Sequence, residues 1–468
     1  LLLPSRRTIA LLSTPSDSPV SLNSLFEISQ RSFRALNAKM NATGQNIANA
    51  NTEGYSRRRT TLAAQNTVSP GLYTPPSTPN APGSGPRVTA YERMRDRMLD
   101  EAAAEAQTGQ GGAREEARLL SVLEGALAPD TDSGLSASLE DFFGGLNDLA
   151  NAPTDQGVRS TVLSKADGLT DAFNRLDQRL GSLRTDTESA LASSVDKANG
   201  LLDDVAALNK KISEARAGGT PDLAAKDQRD RLVSKLSSLM PVEVQPDAEA
   251  GYTLSVDGMQ VVQGTETTRL QQPDSTTVEF GKSGVAFAPG DTNGGELGAQ
   301  LRTLNETLPE VQARLDGLAE DVVTEVNALH ETGFDQNGNT GTPFFDPTKT
   351  TAGSMERAVD APEAIAAYGA ADAPGNTAPA QQMAALSESL TPKAIDLSAS
   401  VGSKVQQAAA REEAQAATAA HLQSMAEGVS GVSLDEEMST LIEQQQQFAA
   451  SARVLSTAQE ITSTLLSM

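Results

Sequence analysis

The chain has 468 residues, room for more than one domain, yet aromatic residues make up only 3% of it and tryptophan is absent. Its cores are therefore thin and suit long helices sharing seams better than one large globular core. Asp and Glu number 61 against 37 Lys and Arg, a net charge of −24, which argues against duplex nucleic acid and against an anionic membrane surface as partners. With no cysteine there is no disulfide framework, thiolate metal site or cysteine nucleophile, and a chain exported unfolded would have nothing to cross-link on the way.

No apolar run approaches the roughly 18–20 residues of a membrane span. At the start, Arg6 and Arg7 precede the apolar patch Thr8–Leu12, too short for the hydrophobic core of a signal peptide; residues 1–20 are expected to be a disordered extension. Leu22, Phe26, Ser29, Phe33, Leu36, Met40, Thr43 and Ile47 then follow in steps of four and three, with Leu25 beside them. That spacing draws one narrow stripe along a helix, the pattern of a coiled-coil seam. Asn51-Thr52-Glu53-Gly54 ends the helix: Asn51 and Gly54 can supply left-handed backbone, and Tyr55 can pack back on it. Residues 66–86 are a Pro/Gly/Ser linker. A short strand is predicted around Arg87 to Tyr91, and residues 92–127 are helical in composition.

Leu135, Leu139, Phe142, Leu146 and Leu149 keep helical spacing. So does the series from Val158 through Phe173 and Leu183 to Ile212, which predicts one long helix or two in line. At Pro241 the pattern changes to short alternating segments, Val242–Val244, Tyr252–Val256, Val261-Val262, Thr277–Phe280 and Val285–Phe287, with Asp257-Gly258 as a turn; this reads as a small β subdomain of hairpins. Helical spacing resumes at Leu297 and runs to Val322. Residues 333–376 are irregular, and helices return from Ala378 to Leu390 and from Val401 onward. Near the end, Leu434, Met438, Leu441, Gln445, Phe448, Ala452 and Leu455 repeat the four-and-three spacing, and Leu465 extends the apolar set. Ser433 with Glu436 can form a capping box, with Asp435 and Glu437 near the positive end of the helix dipole.

The two terminal stripes match each other. Residues 22–50 carry Glu27 against Arg31, Arg34 and Lys39, a charge of +2, while residues 435–468 carry Asp435, Glu436, Glu437, Glu443 and Glu460 against Arg453, −4. At the helical rise the stripes span roughly 40 and 50 Å. Ser29, Thr43, Gln445 and Ala452 weaken them, so each is marginal alone, and both ends are expected to be disordered in the single chain and to order on assembly. The expected fold is mainly α and elongated. A terminal assembly domain (21–65 with 400–468) pairs its helices as a coiled coil. A helical-bundle middle (87–240 with 294–399) carries a small β insertion (241–293).

No site of catalytic chemistry emerges. Glu140-Asp141 and Asp203-Asp204 are neighbours that point to different faces of a helix. His330 and His421, the only histidines, lack a Ser or metal-ligand neighbourhood. Thr108-Gly-Gln-Gly-Gly112 lacks the Lys-Ser/Thr of a phosphate loop. Asp335-Gln-Asn337-Gly-Asn339 imitates a calcium loop but has Thr340 where the sharp turn needs Gly, and a polar turn is the reading. The sequence calls for no metal, no cofactor and no enzyme; the Gln444–Gln447 run reads as solvated helix surface.

The segment Asn46-Ile-Ala-Asn49-Ala-Asn51-Thr-Glu-Gly54-Tyr55-Ser56 resembles the N-terminal signature of bacterial flagellar axial proteins, the rod, hook and hook-associated family, with Glu53 where the family often has Pro. Gly428 to Glu437 resembles that family's approach to its last helix, and Phe448 stands where relatives usually carry Tyr. The interior narrows the resemblance to the hook-associated protein 1 (FlgK) family. Three interior stretches carry it. One is Ser138-Leu139-Glu140-Asp141-Phe142-Phe143 with Leu149–Pro153 and Arg159. The second is Leu208-Asn209 with Asp227-Gln228-Arg229-Asp230. The third is Val326-Asn327, His330, Gly333, Asp335, Gly338, Gly341 and Phe344-Phe345. The matches run in order and cover about residues 21–468, and the β insertion is short for that family. The resemblance implies a structural part of the flagellum that forms the junction of hook and filament by helical self-assembly. It implies as partners copies of the chain, hook protein, the second hook–filament junction protein, and an export chaperone at the C-terminal helix. It also implies export through the flagellar type III apparatus. A hook- or rod-type axial protein, or a cytoplasmic coiled-coil scaffold, are the other readings of the stripes.

Overall fold

The computed structural model describes residues 22–64, 85–127, 134–247, 251–281, 284–288, 294–371 and 373–467; the expected extension at 1–20 and most of the 66–86 linker lie outside them. In chain order come α1 (Leu22–Ala48), β1 (Arg58–Ala64), β2 (Pro86–Arg93), α2 (Arg97–Leu127), α3 (Leu135–Asn151), α4 (Gln156–Ala217) and α5 (Leu223–Leu239). Short strands follow: β3 (Glu243–Asp247), β4 (Gly251–Val256), β5 (Met259–Gln263), β6 (Glu266–Thr267), β7 (Leu270–Asp274), β8 (Thr277–Phe280) and β9 (Val285–Ala286). The chain ends in α6 (Gly295–Arg302), α7 (Leu308–His330), α8 (Ala378–Ala385), α9 (Ser387–Ser430) and α10 (Leu434–Leu466).

The chain divides into two compact units, residues Leu1–Asp96 with Ala426–Met468, and Arg97–Met425. The expected boundaries therefore move. The strand placed in the middle domain joins the terminal unit, because β2 pairs antiparallel with β1 from Arg58↔Arg93 to Ala64↔Pro86. The C-terminal boundary falls at Met425 and not at 400, inside α9, which runs unbroken from Ser387 to Ser430 through Pro392; the gap expected between Leu390 and Val401 is helical. The β segment is not a core of its own: Leu254, Val261, Leu270, Val278 and Phe280 belong to the same buried cluster as the helices.

In the larger unit the predicted periodicity is the packing. Helix α4 is one helix of 62 residues, about 90 Å long. Its start is fixed by Asp155, whose Oδ1 accepts from the Gly157 and Val158 N–H groups. Phe142 of α3 meets Phe143, Phe344 and Phe345 at centroid distances of 5.3–5.7 Å, and Phe344 meets Phe345 edge to face at 4.9 Å, so a few aromatics close a core otherwise made mostly of Leu, Val and Ala. The Thr108–Gly112 run lies inside α2, where a Cβ on Gly111 would sit 2.1 Å from the Ser238 carbonyl oxygen: glycine is there for backbone approach and not for phosphate. Between α6 and α7 the helix widens to a π turn at Thr303–Thr307. Pro309, in the first turn of α7, has no N–H for the carbonyl four residues back.

Asparagines on helices tie extended chain to this scaffold. Asn199 donates Nδ2–H to Leu270 O (2.9 Å) and accepts from Leu270 N–H (2.8 Å). Asn209 does the same to Tyr252, at 2.9 and 3.2 Å, and Asn327 to Phe345, at 2.9 and 2.8 Å. Arg229 completes the second clamp, its Nη1 donating to Asn209 Oδ1 (2.8 Å) and its guanidinium lying over the Tyr252 ring. The carboxylate of Asp335 is taken up by its own loop, through the Asn337 and Asn339 N–H groups and Asn339 Nδ2 at 2.8–3.0 Å. Burial pushes its pKa up, but those bonds from Asn339 and Asn337 outweigh burial and hold it below the usual carboxylate range.

His330, at the end of α7, is wholly buried. Its Nε2 accepts from Ala366 N–H (2.8 Å), which leaves Nδ1–H to donate to Thr342 O. Burial, with a smaller contribution from Arg159, pushes its pKa down to about 4 against a lifting effect of the Thr342 bond. The unfolded chain, with an imidazole near about 6.5, takes the proton first. The neutral imidazole's contribution is thus complete above that pH and is lost as pH falls towards 4, on the order of 3 kcal/mol in all. Chemical denaturation at pH 7 and pH 4 should show this extra loss in the native chain and not in His330→Gln; equal losses would refute the assignment.

Candidate functional site: the meeting of the terminal helices

Helices α1 and α10 lie side by side and antiparallel. Phe33 meets Phe448 edge to face at a centroid distance of 4.8 Å, Gln444 Nε2 donates to Thr43 Oγ1 (3.2 Å), and Asn46 Nδ2 donates to Glu437 Oε2 (3.0 Å). As the numbers rise along α1 they fall along α10. A second face of α1, marked by buried Ala35 and Ala42, turns to the β1–β2 hairpin, where Thr60 Oγ1 lies 3.5 Å from Ala38 O.

Asn46 is the hub. Its Oδ1 accepts from Tyr55 OH (2.9 Å) and from Arg58 N–H (2.9 Å), while Nδ2 donates to Arg58 O (3.0 Å) as well as to Glu437. Gly54 makes this possible: its φ of +70° turns the chain back so that Tyr55 to Arg58 return along the helix they have just left. The Arg58 guanidinium then sits 5.0 Å from the Tyr55 ring centroid. Glu437 is 2% exposed. Its Oε1 accepts from Arg57 Nε (2.6 Å), and Arg57 Nη1 reaches Glu436 Oε2 (2.9 Å). The backbone of Arg57 is held too, donating to Ser430 O (2.7 Å) and accepting from Met94 N–H (2.8 Å). A carboxylate this buried is tolerable only when paired and hydrogen-bonded.

The sequence-derived residues fall into three groups. Of the N-terminal stripe, Leu36 is buried beside Ser29 and Thr43, and Leu25, Phe33, Met40 and Ile47 are half-buried, whereas Phe26 is 38% exposed. In the signature, Asn49 Nδ2 donates to Gln45 O (2.9 Å) at the helix end. Asn51 is exposed and not left-handed, so Gly54 alone supplies the turn. The C-terminal stripe needs most revision. Phe448 packs on Phe33 and Leu441 and Leu455 are half-buried, but Leu434 and Met438 are 45% and 56% exposed and Ala452 is exposed. On that side of the helix Glu437, Gln444 and Ala458 are buried and Ser451 is half-buried; Glu437, Gln444 and Ser451 stand one position before Met438, Gln445 and Ala452 respectively. A search for apolar residues passes over them, because three of the four are polar. The expected capping box is half made: Ser433 Oγ accepts from Glu436 N–H, but the Glu436 carboxylate goes to Arg57. The side chains of Leu22 and Leu465 lie outside those described.

A model of the flagellar hook-associated protein FlgK helical domain matches residues 120–345, and a model of the flagellar basal body rod FlgEFG protein C-terminal region matches residues 423–468. Flagellar hook-associated protein 1 of Bacillus subtilis is 28% identical, over 93% of this chain and 96% of its own length. That of Escherichia coli is 30% identical, over 69% of this chain and 60% of its own length. The chain belongs to the FlgK family. The solved flagellar hook junction protein FlgK of Burkholderia pseudomallei is 29% identical over 53% of this chain and 46% of that one, with a TM-score of 0.46. In this FlgK-family chain the helical-domain match covers α3 to α7, and the C-terminal match holds all of α10, including both acids that reach Arg57.

Replacing Asn46 by Ala strips partners from Tyr55, the Arg58 backbone and Glu437 together, and should cost the terminal unit on the order of 2–3 kcal/mol. Exposed Asn51→Ala should change it by less than about 0.5 kcal/mol. Hydrogen exchange of the α1 and α10 amides measures both; similar losses in the two variants would contradict Asn46 as the hub.

Proposed function

We propose that this chain is a structural subunit of the bacterial flagellum at the junction between hook and filament, and that the paired terminal helices are its assembly element. The observation that carries the reading is the hydrogen-bonded union of the axial signature, at Asn46, with the C-terminal helix, at Glu437. Family membership supplies the flagellar context. The partners that fit are copies of the chain, hook protein on one side, the second junction protein on the other, and an export chaperone over the C-terminal helix. Export through the flagellar type III apparatus suits a cysteine-free chain. The role is structural and not enzymatic: His330 and Asp335, the groups with the most distinctive surroundings, spend their polar atoms on backbone and loop.

The flanks of α10 beside the seam support assembly between subunits. Met438 and Ile442 on one flank and Val454 and Ile461 on the other are exposed, more apolar surface than a solitary helix needs to show. A strain lacking the gene should be non-motile and should shed filament protein; normal filaments in that strain would reject the reading. Complementation with Met438→Asp/Ile442→Asp should leave the helix content of the purified chain unchanged yet fail to restore filaments, which circular dichroism and electron microscopy would check.

A further inference from the structure

The apolar part of the seam is degenerate. Phe33, Met40 and Ile47 recur every seven residues on α1, and Leu441, Phe448 and Leu455 every seven on α10. Slid past one another by one heptad, about 10 Å, the two sets would still meet apolar against apolar. No short turn joins the helices either, since α1 ends at Ala48 and α10 begins at Leu434. Something other than apolar contact must select the register.

The polar column does not repeat. Along α10 it reads Glu437, Gln444, Ser451, Ala458. Only the observed register puts Glu437 against Asn46 and Arg57 and puts Gln444 against Thr43. A slide that carries Gln444 to Asn46 takes Glu437 past the end of α1. The opposite slide sets the Glu437 carboxylate against the Thr43 hydroxyl and the Gln444 amide against Leu36. Each alternative strips a buried polar group of its partner, which is penalised far more than an imperfect apolar contact. A buried polar residue in a helical seam is an effective register mark for this reason. The glutamine run is resolved by the same geometry: Gln444 faces the seam, while Gln445, Gln446 and Gln447 are exposed.

We infer that Glu437 and Gln444, read by Asn46, Arg57 and Thr43, are the residues that select the register of the terminal helices, while the apolar side chains supply attraction without selectivity. The inference concerns the pairing itself and stands apart from the flagellar reading, so its test needs no flagellum.

Because the native chain has no cysteine, engineered pairs report without background. In the purified full-length chain, Phe33→Cys/Phe448→Cys marks the observed register, and Met40→Cys/Phe448→Cys and Phe33→Cys/Leu441→Cys mark slides of one heptad in the two directions. Under mild oxidation the first pair should close at least about tenfold faster than the other two. Adding Glu437→Leu/Gln444→Leu should bring an off-register pair within about threefold of it. The exchange Glu437→Gln/Gln444→Glu conserves composition and moves the carboxylate one heptad, so it should favour Met40→Cys/Phe448→Cys even if the leucines are poorly tolerated. Off-register pairs that stay slow in both backgrounds would overturn the inference and leave apolar shape as the selector.

Discussion

Both oxygens of the Glu437 carboxylate are taken up inside the seam, one by Asn46 and one by Arg57. Left alone at that depth, the charge would be penalised by several kcal/mol. Satisfied, it fixes more than itself. Arg57 is also held through its backbone to Ser430 and Met94, so one cluster sets where the chain leaves α1, where α9 stops and where α10 starts. The chain of cause is short. Gly54 allows the reversal, the reversal delivers Tyr55, Arg57 and Arg58, and these complete the coordination that makes a buried acid acceptable.

The same device recurs in the larger unit. Asn199, Asn209 and Asn327 each stand on a helix and pair with both the N–H and the C=O of one residue in an extended segment, as Asn46 does with Arg58. A side-chain amide carries one donor and one acceptor at the spacing of a peptide group, so it completes the hydrogen bonding of chain that no neighbouring strand satisfies. In a protein poor in aromatics this is an economical way to hold short strands and loops against helices. Several residues that resemble the FlgK pattern, among them Asn209, Arg229 and Asn327, are parts of these joints.

How much the sequence disclosed depended on what kind of residue did the work. In α3, α4 and α7 the buried positions are mostly Leu, Val, Ala and Phe at helical spacing, and those helices were plain. Leu270–Asp274 was passed over because it reads Leu-Gln-Gln-Pro-Asp; β7 exists through its pairing with β8 and its clamp to Asn199. The early part of α9 is not legible as helix, although Pro392, so near its beginning, removes only one early bond. At the candidate site, Leu441, Phe448 and Leu455 were legible and their companions were not. A four-and-three stripe through those three residues can be continued by the set at 438, 445 and 452 or by the set at 437, 444 and 451. Apolarity chose the first; hydrogen bonding with α1 chooses the second.

That inversion bears on what α10 is for. A helix in a solitary pair would place Met438 and Ile442 in its seam and leave Glu437 and Gln444 to water. Here the acid and the amide are inside, beside Phe448, and Met438 and Ile442 are outside. The arrangement is poor as a way to stabilise one isolated hairpin of helices. It is sensible for a helix with two partners, one recognised through a polar code that fixes register and one through an apolar face that is indifferent to it. Division of labour of this kind lets a subunit hold its own ends in a defined alignment while leaving the stronger, less selective surface for its neighbours, which is the order of events that assembly from single chains requires.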